Sequence, residues 1–298
     1  MNWLSDATLD HLRLVADQPD VSSTRYELIR EIARGGMGVV YEAEDRELQR
    51  RVALKVLATE VAGPEAVERL RNEARTIARL EHPGIVPVHD AGILPDGRAW
   101  YAMKLVRGET LRAEGRSRTE LLRLFLRICE PVAFAHAHGV VHRDLKPENV
   151  MIGSFGEVLV MDWGVAASVQ GRGEEGLVVG TPGFMAPEQE RGDSAPDTRA
   201  DVFALGAMLR LLLHNERPPK PLRAIIGKAM SASPADRYRD AQDLAGDVAR
   251  YADGLPVTAY RENLLERSGR WISRNRALVA MVLTYLVMRV LVFLFGRT

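Results

Sequence analysis

A short polar stretch at residues 142–149 holds three side chains whose types and spacing suit chemistry. Asp144, Lys146 and Asn149 offer a carboxylate, an ammonium group and an amide. The stretch lies between two apolar runs, which predicts a loop at the edge of a packed core. A carboxylate can take up a proton, an ammonium group can neutralise negative charge, and an amide oxygen can bind a hard cation.

A glycine-rich turn at 33–38 lies between two strand-like runs, Tyr26–Ile32 and Val39–Ala43. Gly35 and Gly38 carry no side chain, so the backbone N–H groups of such a hairpin can approach a phosphate closely. The pattern predicts a phosphate-binding turn, although a lone glycine loop is also typical of an ordinary hairpin.

Lys55 lies inside an otherwise apolar strand at 51–57 and needs a counter-charge if its ammonium group is buried. The following segment, Glu65 to Leu80, has helical spacing of apolar residues, and Pro64 precedes it near the first turn. Glu73 falls on the apolar face of that helix, which predicts an ion pair with Lys55.

The composition limits the function classes. The chain has 298 residues with 46% hydrophobic content, enough for one two-lobed domain or two small ones. Its 40 basic and 40 acidic residues cancel, so no nucleic-acid partner is expected. The single cysteine, Cys129, excludes an intrachain disulfide, and its apolar surroundings predict a buried inert thiol. No apolar segment follows Met1, so no secretory signal is expected.

Several motifs follow one another at family spacing. Residues 142–149 resemble the catalytic loop H-R-D-x-K-x-x-N, 33–40 resemble the loop G-x-G-x-x-G-x-V with Ala33 at its first glycine, and 52–55 resemble V-A-I-K. Residues 162–164 resemble D-F-G with tryptophan for phenylalanine, and 180–188 resemble the segment ending in A-P-E. The chain is therefore similar to bacterial eukaryotic-like (Hanks-type) serine/threonine protein kinases over about 26–256.

The resemblance implies an α+β fold with two lobes, one rich in β-strands and one helical. The expected organisation is an N-terminal extension at 1–25, containing a short helix near 7–16, and a kinase domain at 26–256 with lobes at 26–103 and 107–256. A basic juxtamembrane segment at 257–276 and a transmembrane helix at 277–295 are expected to follow.

By the same resemblance, ATP and Mg²⁺ are the cofactors. Asp144 orients the acceptor hydroxyl and takes its proton, Lys146 neutralises charge on the moving phosphoryl group, and Lys55, fixed by Glu73, holds the ATP phosphates. Asn149 and Asp162 are the metal ligands. The expected nucleotide-binding residues are Ala33, Arg34, Gly35, Gly36, Met37, Gly38, Val40, Ala53, Lys55, Met103, Lys104, Val106, Asn149 and Asp162.

Other implied roles are structural. Asp201 is expected to brace the catalytic-loop backbone, and Arg237 to pair with Glu188. Lys146 favours serine or threonine of proteins as the acceptor. Lys104 stands where an acidic residue is common, and the region between 206 and 221 is shorter than usual in the family.

Three other interpretations compete. A pseudokinase scaffold is suggested by Ala33, Lys104 and Trp163, but the catalytic set is complete. A small-molecule kinase of related fold would lack the segment ending in A-P-E. A metal site formed by His136, His138 and His142 lacks acidic or cysteine partners at ligand spacing, so helix-end and loop histidines are expected.

The activation segment between 164 and 181 carries Glu174 and Glu175 in a glycine-rich run. We hypothesise that one of these carboxylates supplies a standing negative charge to Arg143, so that activity needs no phosphorylation of this segment. A merely solvated loop is the alternative.

The segment 277–295 is apolar all round except for Arg289. As a helix it would extend about 28 Å, close to the ~30 Å of a hydrocarbon core. Five arginines precede it from residue 261, and one follows, which predicts a single-pass anchor with the kinase domain cytoplasmic. Dimerisation through this helix is a further expectation, and a buried or interfacial helix is the alternative.

Overall fold

The computed structural model describes residues 18–35, 38–59, 63–163, 167–168, 180–192, 197–214 and 217–295. Several predictions fall outside these ranges: the helix near 7–16, Gly36 and Met37 of the glycine turn, and the proposed role of Glu174 and Glu175 in the activation segment.

The N-terminal lobe is built on a five-stranded antiparallel sheet with strand order β1-β2-β3-β5-β4. Alternating apolar positions place one side-chain set on each face of the sheet, as the period of a strand requires. One face joins the main core of the molecule, and the other forms a second cluster around Leu54 and Trp100. The strands are β1 (Tyr26–Arg34), β2 (Gly38–Asp45), β3 (Arg50–Leu57), β4 (Val88–Ile93) and β5 (Ala99–Lys104).

Helix α1 (Pro64–Arg79) packs on the face of this sheet that joins the main core. Proline occupies its first turn, where the missing N–H costs no helical hydrogen bond. Leu70, Ala74 and Ile77 bury its apolar stripe, and Glu73 lies in the same stripe. The predicted inward direction of the Glu73 carboxylate is confirmed.

The second lobe is mainly helical and packs around α2, whose inner side chains include Phe125, Ile128 and Val132. A capping box between Ser117 and Glu120 begins α2 by satisfying backbone donors that the helix leaves free. The helices are α2 (Arg118–Ala137), α3 (Pro187–Glu190), α4 (Thr198–Leu212), α5 (Lys220–Ala229) and α6 (Ala241–Ala252).

Short strands position the loops between the lobes. One three-stranded sheet has the order β6-β8-β9, and β7 pairs with β10. A single 3₁₀ turn at Pro147–Asn149 ends the polar loop, and another lies at Pro234–Asp236. The strands are β6 (Gly108–Thr110), β7 (Val140–Val141), β8 (Val150–Gly153), β9 (Val158–Val160) and β10 (Ala167–Ser168). The two-lobed α+β prediction is thus confirmed.

A buried ion pair links the start of α3 to the segment before α6. The Arg237 guanidinium donates to both oxygens of Glu188, at 2.6 and 2.7 Å, and also to the carbonyls of Arg199 and Ser231. None of the Arg237 side chain is exposed, and only 11% of the Glu188 side chain is. The predicted pair is confirmed, and it fixes the polypeptide on both sides of α4.

The segment after α6 is tied to the helical lobe by Asp247. Its buried carboxylate accepts hydrogen bonds from Thr258 N at 2.6 Å, Thr258 Oγ1 at 2.8 Å, Ala259 N at 3.0 Å and Tyr238 Oη at 2.8 Å. Although burial acts to raise it, these hydrogen bonds hold the pKa of Asp247 below its ordinary value. The chain therefore leaves the lobe from a fixed point.

Two further helices follow, α7 (Leu264–Arg274) and α8 (Arg276–Phe295). Lys220 at the start of α5 donates to Glu266 in α7 at 2.9 Å. Across the described ranges, no helix is both long and apolar enough to cross a membrane. The predicted transmembrane helix at 277–295 is therefore not confirmed, although the segment is helical.

Replacing Arg237 with alanine should leave the Glu188 carboxylate buried without its counter-charge. We expect the free energy of unfolding to fall by about 3–5 kcal/mol, the usual cost of removing one partner of a buried pair. Arg239→Ala is a matched control, because that arginine is 75% exposed and pairs with Asp240 at the surface. The control should lose less than about 1 kcal/mol. Equal losses in urea denaturation would contradict the prediction.

Candidate active site

A cavity of about 600 Å³ lies between the sheet of the N-terminal lobe and the helical lobe. Its walls include most residues that the sequence predicts to bind nucleotide. These are Ala33, Arg34, Gly35, Gly38, Val40, Ala53, Lys55, Met103, Lys104, Val106, Asn149 and Asp162, together with the predicted catalytic residue Asp144. Glu73 and Lys146 are not wall residues but contact Lys55 and Asp144, respectively.

Several apolar wall residues were not predicted from the sequence. Each lies in an ordinary strand or connecting segment, where an apolar side chain is equally expected in the core. The cavity makes them candidates for contact with a flat ring such as a base. They are Ile32, Val86, Met151 and Met161.

Backbone geometry at the glycine turn requires a residue without a side chain at Gly38. A Cβ built on Gly38 would lie 2.5 Å from the carbonyl oxygen of Val56, a contact that no packed Cβ makes. The N–H of Gly35 donates to the carbonyl of Gly38 at 2.9 Å and closes the turn. Ala33, at the first glycine position of the family, pairs with Val40 in the β1–β2 ladder.

Three charged side chains meet at the inner end of the cavity. Lys55 Nζ donates to Glu73 Oε1 at 2.8 Å and to Asp162 Oδ1 at 3.0 Å. Burial opposes the charge of Lys55, but Tyr101, Glu73 and Asp162 together raise the pKa of the ammonium group well above its ordinary value. The ion pair predicted between Lys55 and Glu73 is confirmed, and Lys55 stays protonated.

The polar loop arranges its groups around the Asp144 carboxylate. Lys146 Nζ donates to Asp144 Oδ2 at 2.8 Å, and the Thr181 hydroxyl donates to Oδ1 at 2.7 Å. Lys146 also donates to Thr181 Oγ1 at 2.8 Å, while Asn149 Nδ2 donates to the Asp144 carbonyl at 2.8 Å. An alcohol, a carboxylate and an ammonium group thus lie in mutual contact. The contact of Thr181 with Asp144 and Lys146 was not predicted from the sequence.

Asp201, at the start of α4, holds this loop from below. Its buried carboxylate accepts from the backbone N–H groups of His142 and Arg143, both at 2.8 Å, and from His136 Nε2 at 2.9 Å. The backbone N–H of Ala241 donates to His136 Nδ1 at 3.3 Å, which leaves Nε2 to donate to Asp201. Burial alone would raise the pKa of Asp201, but these hydrogen bonds lower it below its ordinary value. The predicted brace is confirmed.

The other two candidate histidines also have structural partners. His142 Nε2 contacts the Met161 carbonyl at 3.0 Å, and its ring lies 4.6 Å from that of the buried Trp163. His138 Nδ1 contacts the Phe134 carbonyl at 2.8 Å. Trp163 thus fills core volume and packs against His142 at the start of the loop with the two rings tilted by 51°. Cys129 is fully buried, and burial raises the pKa of its thiol.

Asp162 and Asn149 supply the oxygen atoms suited to a hard divalent cation. The Asp162 side chain is half exposed and its backbone has a φ of 55°, a left-handed conformation that is uncommon outside glycine. Burial acts to raise the Asp162 pKa, but Lys55 lowers it below the ordinary value, so the carboxylate is ionised at neutral pH. Because Asn149 donates its amide N–H to Asp144, its amide oxygen is left to accept or coordinate.

Lys104 lies at the end of β5, where the chain passes from one lobe to the other. Its ammonium group is 3.9 Å from Glu157 in the turn between β8 and β9, a long and partly exposed contact. The backbone N–H of Lys104 donates to the Pro87 carbonyl. The basic side chain is thus directed at the β8–β9 turn and pairs there with an acidic residue.

Comparison with known proteins identifies relatives of this chain. A family model for the protein kinase domain matches residues 26–236. The serine/threonine-protein kinase PknA of Mycobacterium tuberculosis is 39% identical, over 78% of this chain and 62% of PknA. PknD of Chlamydia caviae, also a serine/threonine-protein kinase, is 32% identical over 78% of this chain and 32% of PknD. The chain therefore spans from about a third to three fifths of these relatives.

Replacing Asp201 with asparagine should weaken the hydrogen bonds that hold the catalytic loop. It should also remove the pH dependence that the carboxylate gives to the free energy of unfolding. An amide offers one oxygen and adds an N–H group facing buried donors, so we expect a loss of about 2–3 kcal/mol in unfolding free energy at neutral pH. The wild-type carboxylate has a lowered folded-state pKa, so its contribution is present above about pH 4 and is lost as the pH falls further. The difference between the two proteins should therefore shrink below pH 4. A difference that stays constant to pH 3 in urea denaturation would contradict this account.

Proposed function

This chain belongs to the protein kinase domain family, and on that premise we propose that it transfers the γ-phosphoryl group of ATP to serine and threonine hydroxyls of proteins. The serine/threonine assignment is supported by the names of its relatives and by Lys146 in the catalytic loop. Because the chain spans only part of those relatives, the proposal names the substrates by their reacting group, a serine or threonine hydroxyl of a protein.

One observation carries the proposal. Lys55, Glu73 and Asp162 meet at one end of a single cavity, and Asp144, Lys146 and Thr181 meet beside it. The first group provides a fixed ammonium and an ionised carboxylate, and the second provides a base beside an alcohol. Phosphoryl transfer demands little else of a protein than such positioning and charge neutralisation.

The residues divide the work by position. The apolar walls from Ile32 to Met161 hold the base of ATP, while the glycine turn and Lys55 hold its phosphates. Asn149 and Asp162 would hold Mg²⁺, and the bound ion would supply positive charge beside the phosphate oxygens. The hydroxyl of the acceptor donates to Asp144, as that of Thr181 does. Asp144 takes its proton as the new O–P bond forms and the bond between the γ-phosphorus and the β–γ bridging oxygen breaks, so that ADP leaves with that oxygen. Lys146, whose ammonium group contacts the Thr181 hydroxyl at 2.8 Å, neutralises charge on the moving phosphoryl group.

A binding scaffold without transfer remains the second candidate because Ala33, Lys104 and Trp163 depart from the family pattern. The geometry gives each departure an ordinary role. Ala33 fits the β1–β2 ladder, Lys104 pairs with Glu157, and Trp163 packs in the core. Nothing in these contacts removes a group that transfer requires.

The proposal is tested by Lys55→Met and Asp144→Asn. We expect each to reduce phosphate transfer from labelled Mg·ATP by at least about a hundredfold, within the range that a positioned acid–base or charge-stabilising group contributes. Lys228→Met is the control, because Lys228 contacts the Tyr238 ring in the helical lobe, and its rate should match wild type. Wild-type protein that binds Mg·ATP without transfer would favour the scaffold. Variants that retain more than a tenth of the rate would contradict the assigned roles.

We further propose that α8 attaches the chain to a membrane as a single pass, with the kinase domain on the cytoplasmic side. Consecutive large apolar side chains of this helix are about half exposed or more, Leu283, Leu286, Val287 and Met288 among them. Their removal from water into hydrocarbon is favourable by roughly 25 cal/mol per Å². Arg289 is the opposing charge and can extend its guanidinium towards an interface. Dimerisation through this helix stays a prediction.

Membrane attachment is tested by fractionating cells that make the full chain or a truncation to residues 1–272. The full chain should stay in the membrane pellet after an alkaline carbonate wash, because burial of α8 does not depend on charge. The truncation should be found in the supernatant and should keep the wild-type rate of transfer. Release of the full chain by carbonate would contradict a spanning helix.

A further inference from the structure

Tyr101 is a buried polar residue at the back of the cavity for which the sequence patterns predict no part. It lies in β5, is 1% exposed and forms part of the cavity wall. In the β3–β5 ladder it is the direct cross-strand partner of Lys55, so the two side chains project from the same face of the sheet. The Lys55 ammonium lies 5.7 Å from the centre of the Tyr101 ring.

The hydroxyl of Tyr101 reaches the same carboxylate oxygen as Lys55 does. It donates to Glu73 Oε1 at 2.7 Å, and Lys55 Nζ donates to that oxygen at 2.8 Å. Burial raises the pKa of Tyr101 well above its ordinary value, so the phenol keeps its proton and acts as the donor. The Glu73 side chain is only 1% exposed, so both hydrogen bonds are shielded from water. A hydrogen bond to a carboxylate is stronger in such an interior than in water.

We propose that Tyr101 is a positioning residue that fixes Glu73, and through it Lys55, for contact with the phosphates of ATP. The inference rests on the proposed kinase function and deepens it. Among the buried residues described for α1, Glu73 is the only acidic one, and Leu70, Ala74 and Ile77 are apolar. Two strands therefore hold it, β3 through Lys55 and β5 through Tyr101.

The hydrogen bond from Tyr101 keeps the Glu73 carboxylate in place when Lys55 contacts a phosphate, which a lysine–glutamate pair alone would not do. When Lys55 turns towards a phosphate, its hold on Glu73 weakens, and α1 is then free to shift. Tyr101 does not contact a ligand through its hydroxyl, which is already directed at Glu73, so its hydrogen bond persists when Lys55 changes partner. The carboxylate keeps its place, and Lys55 returns to the same position for each nucleotide.

Tyr101→Phe tests the proposal because it removes the hydroxyl and keeps the ring in the cavity wall. We expect kcat/KM for Mg·ATP to fall about tenfold, the equivalent of one hydrogen bond to a buried charge. Binding of adenosine, which has no phosphates, should stay within twofold of wild type. A loss of adenosine binding as large as that for ATP would overturn the proposal, since it would indicate a damaged wall.

Tyr238→Phe is the matched control. Tyr238 is 3% exposed, and its hydroxyl donates to the Asp247 carboxylate at 2.8 Å, so the change removes an equivalent buried hydrogen bond in the other lobe. Its kcat/KM should stay within twofold of wild type even if its melting temperature falls as far as that of Tyr101→Phe. Equal losses of kcat/KM in the two variants would assign Tyr101 a merely structural role and overturn the proposal.

A second arm separates an action through Glu73 from a direct one. In a Glu73→Gln background the hydroxyl has no anion to hold, so adding Tyr101→Phe should change ATP-analogue binding less than twofold, measured with a fluorescent analogue. The same change in the wild-type background should weaken analogue binding about tenfold. An equal loss in the Glu73→Gln background would overturn the proposal. Wild-type protein that binds the analogue but transfers no phosphate would overturn the proposed function alone, since the binding arm would still report on Tyr101.

Discussion

The buried carboxylate of Asp201 is the constraint on which the catalytic loop depends. A loop that presents charged groups to solvent cannot be fixed by apolar packing alone, because its backbone donors would be left without partners inside the protein. Asp201 takes two of these donors from His142 and Arg143 and a third from His136, and Arg143 adopts a φ of 71° between them. The strained backbone is thus held by hydrogen bonds to a single ionised group in the centre of the helical lobe.

The N-terminal lobe solves the opposite problem, since its charges lie within the core. Lys55 and Glu73 are buried on adjacent elements and compensate each other's charge, while Asp162 contacts Lys55 from the second lobe. Among the described residues, this contact is the ion pair that joins the two lobes at the inner end of the cavity. The relative position of the lobes and the protonation state of Asp162 are therefore linked through a single ammonium group.

Sequence patterns predicted those features that depend on spacing along the chain. The helix containing Glu73, the pairing of Arg237 with Glu188 and the brace by Asp201 all follow from periodicity or motif. Contacts made by ordinary-looking residues were not predictable, because an apolar or aromatic strand residue carries the same signal in a core and in a cavity wall. Tyr101 is the clearest case, as its hydroxyl gains a meaning only when β5 lies beside β3.

The C-terminal segment shows a different limit. Its composition predicted a spanning helix, and the described residues confirm the helical conformation but not the membrane span. Apolar composition indicates that a segment is helical more directly than it indicates whether lipid or protein surrounds the helix.

The hydrogen bonds that Asp247 makes to residues 258 and 259 limit how far the catalytic loop can move from the C-terminal helices. A free linker would let the catalytic loop reach a distance from its anchor that grows with the square root of linker length. Here the chain is pinned where it leaves the lobe, and Lys220 holds α7 against α5 a few residues later. A surface that receives α8 would then hold the cavity closer to itself than a free linker of the same length would. The active site would meet acceptor hydroxyls near that surface at high local concentration, and it would meet more distant ones rarely.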